Sequence, residues 1–258
     1  MSLANQVAIV TGGGNGIGRT MALRLARDGA DVVIAGRRQA TLEASAAAVR
    51  AQGRKALSVV TDVSREEDVS AMARSALEAF GRIDILVNNA GIIGPTAPVV
   101  SVKRADWDEV MAINLTGAYL CAKAVLPDMI ARRSGKIINI SSVAGKVAYA
   151  LRSPYAVSKW GMIGLTLTLA QEAGPSNIQV NVVCPGPVAG ERMRRVIEHR
   201  AAELGRPAAE VERIYVEDTA LKRMATEDDV AALVAFLASA EADNITGQAI
   251  DVSAGHSL

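Results

Sequence analysis

Tyr155 and Lys159 stand four residues apart in SPYAVSKWG, residues 153–161. On a helix that spacing places both side chains on one face, one turn apart. A tyrosine hydroxyl titrates near about 10 and is a poor base at neutral pH, but a neighbouring ammonium favours phenolate. The pair is therefore a candidate general acid/base. Thirteen residues before the tyrosine, the apolar run KIINI (136–140) ends in Ser141-Ser142. At the carboxyl edge of a parallel sheet, a serine hydroxyl can hydrogen-bond a substrate oxygen. Asn114 falls inside the helix-like MAINLTG (111–117). An asparagine is unfavourable there unless its amide holds a water or frees a backbone carbonyl. A Tyr/Lys pair alone is usually surface decoration; this company gives it chemical meaning.

A second cluster suits an anion. TGGGNGIG (11–18) follows the apolar run VAIV and precedes a helical pattern. Strand, glycine loop and helix in that order aim backbone N–H groups and a positive helix end at one point, where a pyrophosphate can bind. The common spacing G-x-G-x-x-G is absent, so the loop alone is a weak signal. The end of the second apolar run, VVIA (32–35), adds to it. NAD-binding folds carry an acid there for the ribose 2′-hydroxyl, whereas here Gly36, Arg37 and Arg38 follow. Two guanidinium groups in place of an acid suit a 2′-phosphate, and favour NADP over NAD.

These residues need a scaffold that brings strand ends together. Short runs rich in β-branched residues occur at 7–10, 32–35, 56–60, 84–88, 136–140, 178–183 and 248–252, with helical spacing between them. Runs apolar on both faces belong in a parallel sheet covered on each side. The alternation predicts a doubly wound α/β fold: a mostly parallel seven-stranded sheet with helices on both faces. No linker or repeat divides the chain, so 5–258 reads as one domain. Gly29 and Gly53 close the first two helices. The segments 106–131 and 153–173 read as largely apolar helices. Residues 187–224 hold no strand and carry a charged helical insert, expected to act as a lid.

Composition excludes several partners. The 258 residues are 50% hydrophobic, and 28 basic against 27 acidic residues leave a net charge of +1. That balance gives no footprint for nucleic acid or an anionic membrane. Cys121 and Cys184 match no metal-ligand spacing and read as buried thiols. No metal site is expected around His199 or His256. No targeting segment or run of transmembrane length stands out, so a cytoplasmic location is expected. In the insert, Arg192, Arg194, Arg195 and Arg200 are interleaved with Glu191, Glu198 and Glu203, and read as a solvated face. Val147, Tyr149, Leu151 and Ile93 suggest a moderately apolar substrate cleft.

Taken together, T-G-x-x-x-G-x-G at 11–18, NNAG at 88–91, Asn114, Ser142, Y-x-x-x-K at 155–159 and PG at 185–186 resemble the short-chain dehydrogenase/reductase family. The resemblance spans about Val7 to Gly255. It implies that Tyr155 is the general acid/base, that Lys159 lowers the tyrosine's pKa and holds the nicotinamide ribose, and that Ser142 orients the substrate oxygen. Asn114 would hold the water of a proton relay. Gly12, Asn15, Gly16, Ile17 and Gly18 would cradle the dinucleotide, with Arg37 and Arg38 at the 2′-phosphate. Asp62 and Val63 would border the adenine, Asn89, Ala90 and Gly91 the adenosine ribose. Pro185, Gly186 and Val188 would border the nicotinamide. Many members carry a threonine two residues beyond Val188; here Gly190 stands there. The implied activity is hydride transfer between NADP and an alcohol or ketone by a homotetramer. The alternatives are an NAD-dependent sugar- or steroid-like alcohol dehydrogenase and a 3-oxoacyl-thioester reductase.

Overall fold

The computed structural model describes residues 2–256. In chain order its main elements are β1 (Val7–Thr11), α1 (Gly16–Arg27), β2 (Asp31–Gly36), α2 (Gln39–Arg50), β3 (Ala56–Val60), α3 (Glu66–Phe80), β4 (Ile85–Asn88), α4 (Arg104–Met111), α5 (Gly117–Arg132), β5 (Gly135–Ile140), α6 (Ser153–Ala173), β6 (Ile178–Pro185), α7 (Glu191–Leu204), α8 (Ala208–Glu217), α9 (Glu227–Ala238) and β7 (Ala249–Val252). The seven strands form one sheet in the order β3-β2-β1-β4-β5-β6-β7. Every pairing is parallel. Each of the seven apolar runs read from the sequence is a strand.

Parallel strands must be covered on both faces, and β1, β4 and β6 are buried along their whole length. One core joins α1, α2 and α9 to the sheet through Met21, Leu25, Leu42 and Val234. The other joins α3, α5 and α6 through Met72, Val125, Met129 and Leu169. At the amino edge, buried Asp84 accepts the Val7 N–H at 2.9 Å and pairs with Arg82 and Arg132 at 2.7 and 3.0 Å. That ionic knot holds the end of the sheet opposite the candidate chemistry. α9 starts with a capping box: Thr226 Oγ1 accepts from the Asp229 N–H and Asp229 accepts from the Thr226 N–H.

Two readings need correction. The segment expected as a plain helix around Asn114 contains a π-helical turn, Ala112–Thr116, between α4 and α5. One extra residue in a turn leaves periodicity almost unchanged, so the pattern does not reveal it. The whole run Arg104–Arg132 is also a 29-residue helix, long and apolar enough by composition to cross a membrane. Half of its apolar window is buried against the protein, as for the core helix of an α/β sheet. The insert 187–224 folds as α7 and α8 around its own small core of Ile197, Ala201, Val211 and Tyr215.

Candidate active site

The strand order reverses between β1 and β4, and the crevice beyond their carboxyl ends is where open α/β sheets take ligands. Thr11 ends β1 and organises this crevice. Its Oγ1 accepts from the Asn89 and Ala90 N–H groups at 3.0 and 3.1 Å and donates to Val87 O. The Asn89 amide donates back to Thr11 O at 2.8 Å. A Cβ on Gly18 would lie 2.2 Å from Gly12 O and 2.5 Å from Asn89 Nδ2, so only glycine lets α1 start this close to β4. Gly12 itself has φ +67°. Asn15 caps α1 without a side-chain hydrogen bond, and the first turn carries no acid. That leaves the positive helix end to an outside anion. Ile17 packs into the core and Gly16 faces outward near Glu227, whose carboxylate accepts from Thr20 at 2.8 Å.

At the end of β2, Arg37 and Arg38 are exposed, and neither forms an ion pair among the described residues. Asp62 lies beside them. Ser64 donates to its carboxylate from side chain and backbone, and with the Arg37 and Arg65 charges holds it below the usual carboxylate range, against partial burial. Val63 is buried against Gly117. This corner combines an ionised carboxylate with two exposed guanidinium groups that make no direct ion pair among the described residues.

Tyr155 and Lys159 share a face of α6, with Lys159 Nζ 5.7 Å from the tyrosine ring centroid. Lys159 is buried, and its ammonium donates to Ile140 O at 2.8 Å. Burial, helped by the Arg192 charge, pushes its pKa from 10.5 down to about 7. The sequence reading uses this lysine as an ammonium beside the phenol; loss of hydration brings its titration close to neutral pH. Ser142, after β5, accepts from the Ala144 N–H at 3.2 Å and donates to Pro185 O at 3.4 Å. Ser141 donates to Lys159 O at 2.8 Å, fixing α6 against the sheet.

Asn114 is wholly buried on the π-turn. Its Oδ1 accepts from the Ile92 N–H at 2.8 Å, and its Nδ2 donates to Ile92 O and to Ser158 Oγ at 2.9 and 3.0 Å. It thereby clamps the strand-end segment Asn89–Ile92 to α6, with Gly91 in contact with its side chain. Pro185 and Gly186 continue β6, and Gly186 packs so closely on Ser253 that a Cβ would sit 2.7 Å away. Val188 bridges to Ala225. A Cβ at Gly190, where φ is +156°, would meet Glu227 Oε1 at 3.0 Å, a physical reason for glycine there.

Thr11, Ser158 and Glu227 escaped the sequence reading, as did Arg152. Each acts through chain-distant partners, and no local pattern signals that. The insert behaves as read: Arg194–Glu198 pairs at 2.7 Å, Arg195 pairs with Glu191, and His199 lies 3.5 Å from Glu203. Arg200 differs, donating to Tyr215 Oη at 2.9 Å and stacking 5.4 Å from its ring.

A crevice at the sheet's switch point, a glycine-floored helix start and a Tyr/Lys pair beside a strand-end serine define a dinucleotide-dependent oxidoreductase architecture. The short chain dehydrogenase family model matches residues 6–201. A short-chain dehydrogenase/reductase of Armillaria gallica is 40% identical over 253 residues, covering 97% of this chain and 95% of that protein. The solved structure of NAD+-bound xylitol dehydrogenase superposes with a TM-score of 0.95 at 34% identity, over 99% of this chain and 100% of that one. An actinorhodin polyketide ketoreductase variant with NADPH gives 0.93 at 32% identity, over 99% and 98%. The chain belongs to the short-chain dehydrogenase/reductase family, oxidoreductases acting on alcohol and carbonyl groups with a nicotinamide cofactor.

Proposed function

We propose that the protein is an NADP-dependent oxidoreductase of small alcohols and ketones, with Tyr155 as general acid/base. The observation that carries the reading is Lys159 beside Tyr155 on α6 with its ammonium bonded to the end of β5, two residues before Ser142, and Asn114 bracing α6 from the π-turn. When bound, the nicotinamide accepts or supplies the hydride. Tyr155 gives its proton to the carbonyl oxygen in reduction and removes it from the alcohol in oxidation. Ser142 supplies a second donor to that oxygen, which carries the growing negative charge. Lys159, close to neutrality, is suited to pass protons as well as to hold charge. Gly12, Asn15, Gly16, Ile17 and Gly18 hold the pyrophosphate; Asp62, Val63, Asn89, Ala90 and Gly91 take the adenosine side; Pro185, Gly186 and Val188 flank the nicotinamide.

The preference for NADP rests on Arg37 and Arg38, two exposed cations with no direct ion pair among the described residues, where an NAD enzyme of this architecture carries an acid. The segment 187–224 serves as the lid, and the chain assembles as a homotetramer through α5 and α6. Tyr155→Phe tests the chemistry. It retains dinucleotide binding by calorimetry and loses turnover by about 10²–10⁴-fold, the contribution of a positioned acid/base. Near-normal turnover in this variant refutes the assignment. Parallel titration with NADPH and NADH tests the cofactor, and a preference for NADH overturns the role given to Arg37.

A further inference from the structure

Arg152 is the one buried arginine among the described residues, at 9% exposure. Less buried arginines in this protein are matched by acids: Arg24 with Asp28 at 2.8 Å, Arg54 with Asp31 at 2.7 Å, and Arg132 with Asp84 and Asp128. Arg152 has no such ion pair among the described residues. Its hydrogen bond runs from Nη1 to the backbone carbonyl of Gly94 at 3.2 Å. A guanidinium is charged at every accessible pH, so neutralisation cannot relieve the cost of burying it. Burying an uncompensated charge is strongly unfavourable, and a single carbonyl dipole offsets only part of it.

The residue's place suggests what completes it. Arg152 is the N-cap of α6, three residues before Tyr155 and at the end of the helix that carries it. Gly94 belongs to the loop after β4, and the Ala97 N–H donates to Leu151 O at 2.9 Å, clipping that loop to the segment before α6. Both loops follow strand ends and so rim the crevice. Tyr149, in the same segment, interacts electrostatically with Arg152 and with Tyr155, and hydrogen-bonds Tyr215 of α8. Burial raises the Tyr149 phenol to about 12, so it stays a neutral donor. Arg200 holds Tyr215 from the far side. Arg152 and Tyr149 thus sit on the segment that leads into α6, the Arg192 charge reaches Lys159, and Tyr149 links the segment to α8.

We propose that Arg152 is a specificity-determining residue that grips a carboxylate on the substrate, making the preferred substrates oxo acids and the corresponding hydroxy acids. A guanidinium with free N–H groups binds a planar carboxylate through charge-assisted hydrogen bonds. An anion held at the start of α6, the helix that carries Tyr155, fixes the reacting carbon relative to the acid/base. The Tyr149–Tyr215–Arg200 chain ties α7 and α8 to the segment that carries Arg152.

The inference rests on the reading of Tyr155 and the dinucleotide given above, and its test separates the two. Benzoate and its neutral match benzamide are titrated calorimetrically into the protein alone and into the protein saturated with NADPH. The wild type binds benzoate at least about tenfold more tightly than benzamide, and Arg152→Gln brings the two within about twofold. Arg152→Lys, which keeps the charge, retains part of the preference and guards against a misfolded glutamine variant. Arg192→Gln and Arg200→Gln leave most of the preference in place. Equal affinities in the wild type, or an unchanged ratio in a folded Arg152→Gln, overturn the proposal. A merely structural role for Arg152 weakens both probes alike and leaves the ratio intact, which also overturns it. Failure of NADPH to bind refutes the cofactor reading instead, while the titration into the protein alone still decides the role of Arg152.

Discussion

Replacing Lys159 by methionine is expected to stabilise the dinucleotide-free protein at slightly acid pH, and to lose that advantage as pH rises. The fall of the Lys159 pKa from 10.5 to about 7 corresponds to about 5 kcal/mol between the charged and neutral forms. Because the folded value is the lower one, the native state releases the proton first. Between pH 7 and 10.5 the unfolded chain therefore binds more protons than the native one, and wild-type stability rises with pH across that window. Below pH 7 the full penalty of the buried ammonium is present. Methionine removes it but leaves the Ile140 carbonyl without its donor, which returns roughly 1–3 kcal/mol. The variant is thus more stable by about 2–4 kcal/mol at pH 6. Near pH 9 the wild type has recovered about 3 kcal/mol, and the difference is close to zero. Urea unfolding followed by circular dichroism at pH 6 and 9, at equal protein concentration, measures both numbers. A difference between the two proteins that is the same at both pH values refutes the buried-ammonium account.

Arg37→Gln is expected to raise the KM for NADPH about 10- to 100-fold while leaving NADH within about twofold, as loss of a charge-assisted phosphate contact requires. Steady-state kinetics with both cofactors reads this directly, and equal effects on the two remove Arg37 from the 2′-phosphate. Asn114→Ala deletes hydrogen bonds to both backbone groups of Ile92 and to Ser158, and should cost about 2–4 kcal/mol in urea unfolding. A loss below 1 kcal/mol would show that the clamp contributes little. Gly190→Thr forces a side chain onto φ +156° and within 3.0 Å of Glu227. A cost of about 1–3 kcal/mol follows, seen as a lower Tm, and an unchanged Tm shows that the start of α7 has room to adjust.

The strands were legible because burial on both faces writes itself as uninterrupted β-branched runs, and VAIV or KIINI could hardly be anything else. The pairing of Tyr155 with Lys159 was legible because helical spacing is local. What stayed hidden depends on chain-distant contacts. Thr11 gains its role from Asn89 and Ala90, 78 and 79 residues away. Arg152 carries no local signal, because the carbonyl it bonds belongs to Gly94, 58 residues earlier. The titration of Lys159 likewise depends on close packing: a Cβ on Gly145 would lie 2.7 Å from Lys159 O, so the glycine lets that turn seal the base of α6. Residue type and spacing announce candidate chemistry, whereas burial sets the charge state in which it operates.

Assembly follows from the same distinction between pattern and burial. The segments 106–131 and 153–173 read as more apolar than a single chain needs, and the fold leaves part of that surface uncovered. On α5, Tyr119 and Ile130 are each 46% exposed; on α6, Val157, Trp160 and Leu167 are 43, 51 and 47% exposed. Val157, Trp160, Gly164 and Leu167 recur at three- and four-residue spacing, so they form a stripe, and Gly164 leaves its middle open to close approach. Five large side chains about half exposed present roughly 400 Å² of apolar surface, near the upper range tolerated by a monomer. Covered by a second copy, the two stripes bury roughly 800 Å², a gross gain of about 20 kcal/mol that exceeds the roughly 4–15 kcal/mol cost of association. Trp160→Glu combined with Leu167→Glu removes the largest apolar contributors and places two carboxylates where no partner cation is available from the same stripe. Light scattering after size exclusion should show the wild type as an oligomer and the double variant at or near the 26.9 kDa of one chain. A monomeric wild type, or a double variant that keeps the wild-type mass, places the subunit contact elsewhere and leaves these side chains as solvent-facing surface.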